Sequence, residues 1–190
     1  FRNFPFLEPK SLFFPVPEKL TAEESKIFEK YLSDGGKAIT LIDRFAVGVG
    51  EGGIRPLPRE NPLATLLEKS GVTVQADLAA DVSNAMATFT GGFVNYHLPY
   101  PFWIQIRPEG FNKAIPFVAD LNSLVLPWTS SLTLAEKMPE GITVQPLFQT
   151  TPAGVKTGAV ESAQPLTPQT AQMALESEEK GKQVLGAWIN

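Results

Sequence analysis

Not one of the 190 residues is cysteine. Disulfides, thiolate zinc sites and thiol catalysis are therefore excluded. Histidine is almost as scarce, because His97 is the single imidazole in the chain. Any histidine-dependent chemistry has to use it, and a metal site would have one ring nitrogen and scattered carboxylates, too little to support one. No apolar stretch reaches the ~18 residues needed to cross a bilayer. Basic runs are also missing, and the net charge is -4, so the electrostatic footprint of a nucleic-acid binder is absent.

What is present is a chain of globular composition. It is 43% hydrophobic and long enough for one domain with a real core. The most informative stretch runs from Leu20 to Asp43. Thr21 with Glu24 three residues on makes a capping box. Ile27, Phe28, Tyr31 and Leu32 then form one apolar face at helical spacing. Gly35 and Gly36 stop the helix, and Ala38 to Ile42 reads as a central strand covered on both faces. Asn61 and Pro62 open a second helix, with Leu63, Leu66 and Leu67 as its buried face. Gly71 closes it before a short strand, Val72 to Val74. Helix, glycine, strand thus occurs twice, which favours parallel βαβ packing and predicts an α/β domain.

Four further strands are expected. Ser11 to Val16, Ser123 to Trp128, Ile142 to Phe148 and Gln183 to Ile189 all carry apolar runs, with Pro127 and Pro146 marking edges or strand ends. Arg44 to Glu60 reads as a loop, and residues 157–182 as a long polar excursion. Phe93 to Arg107 is rich in aromatic residues.

Candidate functional residues sit at few places. Asp43 and Arg44 follow the expected central strand, where open α/β sheets hold ligands. They either bind a polar ligand or shape the next turn through backbone bonds. His97 is a general base or a binding contact, or a histidine satisfied by the backbone. The latter reading is favoured because no G-x-S-x-G elbow exists to partner it. The aromatic cluster Tyr96 to Trp103, with Tyr100 and Trp103 at its heart, suits sugar stacking, a protein interface or core packing. The glycine run from 48 to 53 lacks the lysine, hydroxyl and following helix of a phosphate loop. Asp77 and Asp81 are four apart and are expected to face solvent rather than bind a cation.

Several motifs line up with one family. The run from Leu20 to Asp43, the segment NPLATLLEKSGVTVQADLAAD, the segment YPFWIQIRPEGFNKAIPFVADLNSLVLPWTSSLTL, the strand GITVQPLFQTTPAGV and the end KGKQVLGAWI follow in order. Together they resemble the extracytoplasmic domain of the gliding-motility-type (GldG-like) auxiliary proteins of ABC transporters. The resemblance implies a flavodoxin-like three-layer sandwich with a mostly parallel sheet, similar to class I glutamine amidotransferases. In those enzymes a cysteine stands at an elbow after the strand; here Ile42, Asp43 and Arg44 occupy the region, so that chemistry is absent. The resemblance further implies a non-catalytic accessory domain without cofactor or metal, at the extracytoplasmic (periplasmic) face of the inner membrane. Its partners would be the permease and ATPase subunits, with a homo-oligomer possible because the matched strands end at what would be a sheet edge. The chain is accordingly expected to be one domain, 1–190, cut from a longer protein whose flanking helices anchor it. The alternatives are a binding module for carbohydrate or another envelope ligand, using Asp43, Arg44, His97 and Trp103, and a hydrolase using His97.

Overall fold

The computed structural model describes residues 11–15, 21–50, 53–91, 93–157 and 166–190. In chain order the elements are β1 (Ser11–Pro15), α1 (Ala22–Ser33), β2 (Lys37–Leu41), β3 (Phe45–Gly50), β4 (Gly53–Pro58) and α2 (Pro62–Lys69). Then come β5 (Val72–Val74), β6 (Ala79–Ala80), β7 (Asn84–Gly91), β8 (Val94–Ile106), α3 (Pro116–Ala119) and β9 (Leu124–Pro127). The last are β10 (Leu132–Leu134), β11 (Val144–Gln149), β12 (Val155–Lys156), α4 (Pro168–Ser177) and β13 (Val184–Ile189).

Local signals in the sequence act where expected. Thr21 caps α1: its hydroxyl accepts from the Glu24 backbone N–H at 3.2 Å, and the Glu24 carboxylate accepts from the Thr21 backbone N–H at 2.9 Å. Asn61 caps α2 by accepting from the Leu63 N–H at 3.0 Å. Gly35 and Gly71 follow the helices at φ 87° and 82°, where a side chain would be strained. Phe28 is the buried anchor of α1, and Leu63 and Ala64 are those of α2.

The global arrangement differs from the expected one. The mostly parallel flavodoxin-like sandwich is not found; the fold is strand-rich and mostly antiparallel. One parallel pair exists among the described residues, β1 with β2, joined through α1. The second helix–strand unit does not extend it. Its strand β5 pairs antiparallel with β10 and lies at the edge of a sheet ordered β11-β13-β10-β5. A helix, a glycine and an apolar run specify the elements, but they do not specify which strand lies alongside. That choice rests on contacts distant in sequence. Nor is β2 covered on both faces: Ile39 is 60% exposed, because β2 belongs to a two-stranded sheet.

Two more expectations change. The segment Arg44 to Glu60 is not a loop but carries the antiparallel hairpin β3–β4, in register from Phe45 opposite Pro58 to Gly50 opposite Gly53. Prolines at 56 and 58 disguised it, and they are tolerated in a strand at a sheet edge. Residues 168–177 of the expected polar excursion form α4, capped by Thr167, while its residues 158–165 lie outside the described ones. The proline-bearing strands β9 and β11 do lie at sheet edges.

The core has two parts. One gathers Phe45, Leu78, Ala80, Tyr100, Phe102, Val155 and the inner face of α4. The other gathers Ala79, Ile104, Ile106, Phe111, Ile115, Val118 and Leu185. Neighbouring Ala79 and Ala80 serve one part each, as side chains alternate across a strand. Alanine fits there because β6 is wholly buried between them.

Asp77 and Asp81 do not face solvent. Asp77 accepts from the Ser131 N–H at 2.8 Å and from its hydroxyl at 2.6 Å. Asp81, 1% exposed, accepts from the N–H and the hydroxyl of Thr151, both at 2.6 Å, and from the Ser83 N–H at 3.2 Å. Each buried carboxylate fastens a loop far along the chain, and the hydrogen bonds offset its desolvation. Spacing of four between two acids does not distinguish this role from a solvated pair.

Candidate functional site

Asp43 lies two residues beyond β2, in the link to β3, and that link is tied to the segment after Trp128. The Asp43 carboxylate accepts from the Ser130 backbone N–H. Burial raises the Asp43 carboxyl above its ordinary value, while that hydrogen bond and the charge of Arg59 work against the rise. The Arg44 N–H donates to the Ser130 hydroxyl at 3.3 Å, and its carbonyl accepts from the Arg59 N–H at 2.8 Å. Both residues are therefore partly structural, and each keeps some exposed surface.

The aromatic cluster converges on the same segment. Trp128 has a φ of 50°, the left-handed region that bulky residues rarely adopt. Its N–H donates to the Phe102 carbonyl at 2.8 Å, and its indole donates to the Tyr100 hydroxyl at 3.2 Å. That hydroxyl in turn donates to the Leu166 carbonyl at 2.8 Å. Tyr100 is 0% exposed, and burial pushes its phenol up to about 12. Trp103 meets Trp128 edge-on with ring centroids 5.5 Å apart, and Phe89 and Phe102 close on Tyr100 in the same manner. Edge-to-face pairs of this kind add to the burial of the rings themselves. The indole nitrogen of Trp103 and the Nε of Arg55 are buried without a hydrogen-bond partner.

Asp43, Arg44, Tyr100 and Trp103 are thus brought to one region around residues 128–130. His97 is not. It stands exposed on β8, opposite Thr88 of β7, with its Nδ1 3.0 Å from the Thr88 hydroxyl. No carboxylate among the described residues is bonded to it, so the base-and-orienter arrangement of a hydrolase is not built there. Sequence reading missed Trp128, Ser130 and Arg59. The tryptophan is visible at the end of an expected strand, but its backbone conformation and neighbours are not.

The glycine run belongs to the β3–β4 hairpin, with residues 51 and 52 outside the described ones. β4, not a helix, follows it, so no helix N-terminus is offered to a phosphate. Among the described residues, no group of three or more His, Asp or Glu side chains could hold a metal ion, and no helix is long and apolar enough to cross a membrane. A shallow pocket lies between residues 109–112 and 146–149, and its Asn112 amide is already bonded to the Pro146 carbonyl at 2.8 Å.

A family model described as an ABC-type uncharacterized transport system matches residues 8–190. No curated protein and no solved structure matches the chain.

Proposed function

Because the chain belongs to this family and is an auxiliary component of an ABC-type transport system, we propose that it is a non-catalytic part, working by contact with the permease and ATPase subunits. The carrying observation is the match across almost the whole chain. Two features of the site support the non-catalytic reading. The chain contains no cysteine, so thiol catalysis has no nucleophile. The polar groups around residues 128–130 are joined to one another in hydrogen bonds that hold loops together. The same reading puts the domain on the extracytoplasmic face; the gliding-motility subtype rests on the sequence motifs alone.

The test is mild cross-linking of the protein in its own membranes, followed by mass spectrometry. Cross-linked peptides from a permease and an ATPase are the expected result. Recovery of the protein without either would overturn the proposal.

One observation favours a second reading, capture of a polar ligand such as a carbohydrate. Asp43 and Arg44 keep partial exposure beside aromatic residues, a combination suited to sugar hydroxyls and ring faces. Saturable binding of an envelope saccharide that is lost in Asp43→Ala would establish it. Titration without saturation would remove it.

A further inference from the structure

From Val82 to Ile106 the sequence contains no Asp, Glu, Lys or Arg, although 19% of the whole chain is charged. Within this stretch lie β7 and β8, with Phe93 in a turn just before β8 and residue 92 outside the described ones. Opposed residues of an antiparallel pair share a face. One face therefore carries Ala87 with Leu98, Phe89 with Tyr96, and Gly91 with Val94. At its inner end this face is core: Ala87 is buried, and the Phe89 ring meets Tyr100. Towards the turn the same face runs out past everything described that could cover it. Leu98 is 40% exposed, Tyr96 50%, Val94 51%, and Phe93, in the turn itself, is fully exposed. The opposite face holds Thr88 with His97 and Thr90 with Asn95, each joined by a 3.0 Å contact. Further from the turn it carries Met86 opposite Pro99, with Met86 exposed; towards the turn it is polar, and nowhere does it carry an acid or strong base.

We infer that the tip of the β7–β8 hairpin docks on the surface of a lipid bilayer with neutral headgroups, with Phe93 and Val94 entering the acyl boundary. The observation that selects a bilayer is the absence of acidic and strongly basic side chains on both faces and at the turn. A protein partner covers one face and leaves a polar rim, whereas an apolar phase surrounds whatever enters it. Tyr96 stands three residue steps along the chain from Phe93, about 10 Å at the rise of an extended strand. With Phe93 at the acyl boundary, Tyr96, Asn95 and Thr90 lie at headgroup depth, where tyrosine is favoured and amide and hydroxyl groups stay hydrated. Entry stops there. β7 is the edge of its sheet, and its outward backbone groups cannot be left unpaired in hydrocarbon. The attraction owes nothing to basic residues, and a chain of net charge -4 gains nothing from anionic lipid.

The experiment is co-sedimentation of the chain with phosphatidylcholine vesicles, with and without added phosphatidylglycerol. Partition onto neutral vesicles is expected, undiminished by moderate salt, and reduced about tenfold or more in Phe93→Asp. Ile39→Asp, which places the same charge at another exposed apolar position, should bind as the unaltered chain does. Circular dichroism would establish that both variants are folded. Failure to bind neutral vesicles, binding that needs the anionic lipid, or equal loss in both variants would each overturn the inference. So would a concentration-dependent dimer in sedimentation velocity that Phe93→Asp disperses while vesicles take up no protein. None of these outcomes bears on whether permease and ATPase peptides are recovered in cross-links.

Discussion

Replacing Asp81 by asparagine exchanges one carboxylate oxygen for an amide nitrogen and should cost a large part of the fold's stability. Both Asp81 oxygens accept from Thr151, one from its N–H and one from its hydroxyl, and the latter oxygen also accepts from the Ser83 N–H. Asparagine has one acceptor oxygen. If its amide nitrogen points at the Thr151 N–H, donor meets donor. If it points the other way, it meets the Ser83 N–H. In either orientation one backbone donor at a buried position loses its acceptor, and the charge that strengthened the rest is gone. Hydrogen bonds to a charged group contribute about 1.5–3 kcal/mol each, so a loss of about 2–4 kcal/mol is expected for Asp81→Asn. For a chain of this size that lowers Tm by on the order of 10 °C. Urea unfolding at pH 7, followed by tryptophan fluorescence, measures it directly. Thr151→Val, which removes the hydroxyl and keeps the N–H, should be less damaging than Asp81→Asn. The double variant should lose less than the two single losses added together, since they share a bond. If Asp81→Asn costs under about 0.5 kcal/mol, within the range of ordinary surface substitutions, the carboxylate is not the fastening described.

Three further outcomes follow from particular residues. Burial raises the Asp43 carboxyl, so the folded form holds its proton more tightly than the unfolded form. Its contribution favours folding below the ordinary carboxyl range and is lost as pH rises through the folded value; Asp43→Asn should therefore be more stable than the parent at pH 7, with the difference vanishing on acidification in a pH series of urea midpoints. Tyr100 behaves as a weak acid in the alkaline range: its contribution is complete below pH 10 and lost as pH rises through about 12, on the order of 2–3 kcal/mol. Ultraviolet titration should show a late phenolate step, absent in Tyr100→Phe. Gly186 faces the ring of Phe148 across β13 and β11, nearer than any Cβ could stand; Gly186→Ala should cost about 1–3 kcal/mol in the same urea assay.

A physical line separates the features that are legible in the sequence from those that are not. Thr21, Glu24, Asn61, Pro62 and Gly71 act within a few residues of themselves, through caps and a backbone conformation. Their local chemistry is the same in any fold, so the ends of α1 and α2 can be placed from the sequence. The hairpin β3–β4 is hidden because its prolines and glycines are also what a loop contains; only pairing distinguishes the two. Asp43 and Arg44 are found by position after a strand. The attachment of Arg44 to Ser130 joins residues 86 apart and cannot be read locally.

The chain by itself determined its family motifs, its helix caps, the proline-marked edge strands and the uncharged stretch from Val82 to Ile106. Each is written in neighbouring residues or in composition. Tertiary structure alone decided that β5 pairs with β10 rather than extending a parallel sheet, that Asp77 and Asp81 turn inward to hold Ser131 and Thr151, and that the apolar face of β7–β8 extends beyond the core. Those outcomes depend on which distant segments meet. A strand's partner and a side chain's burial arise from long-range packing, for which local sequence carries only a weak signal.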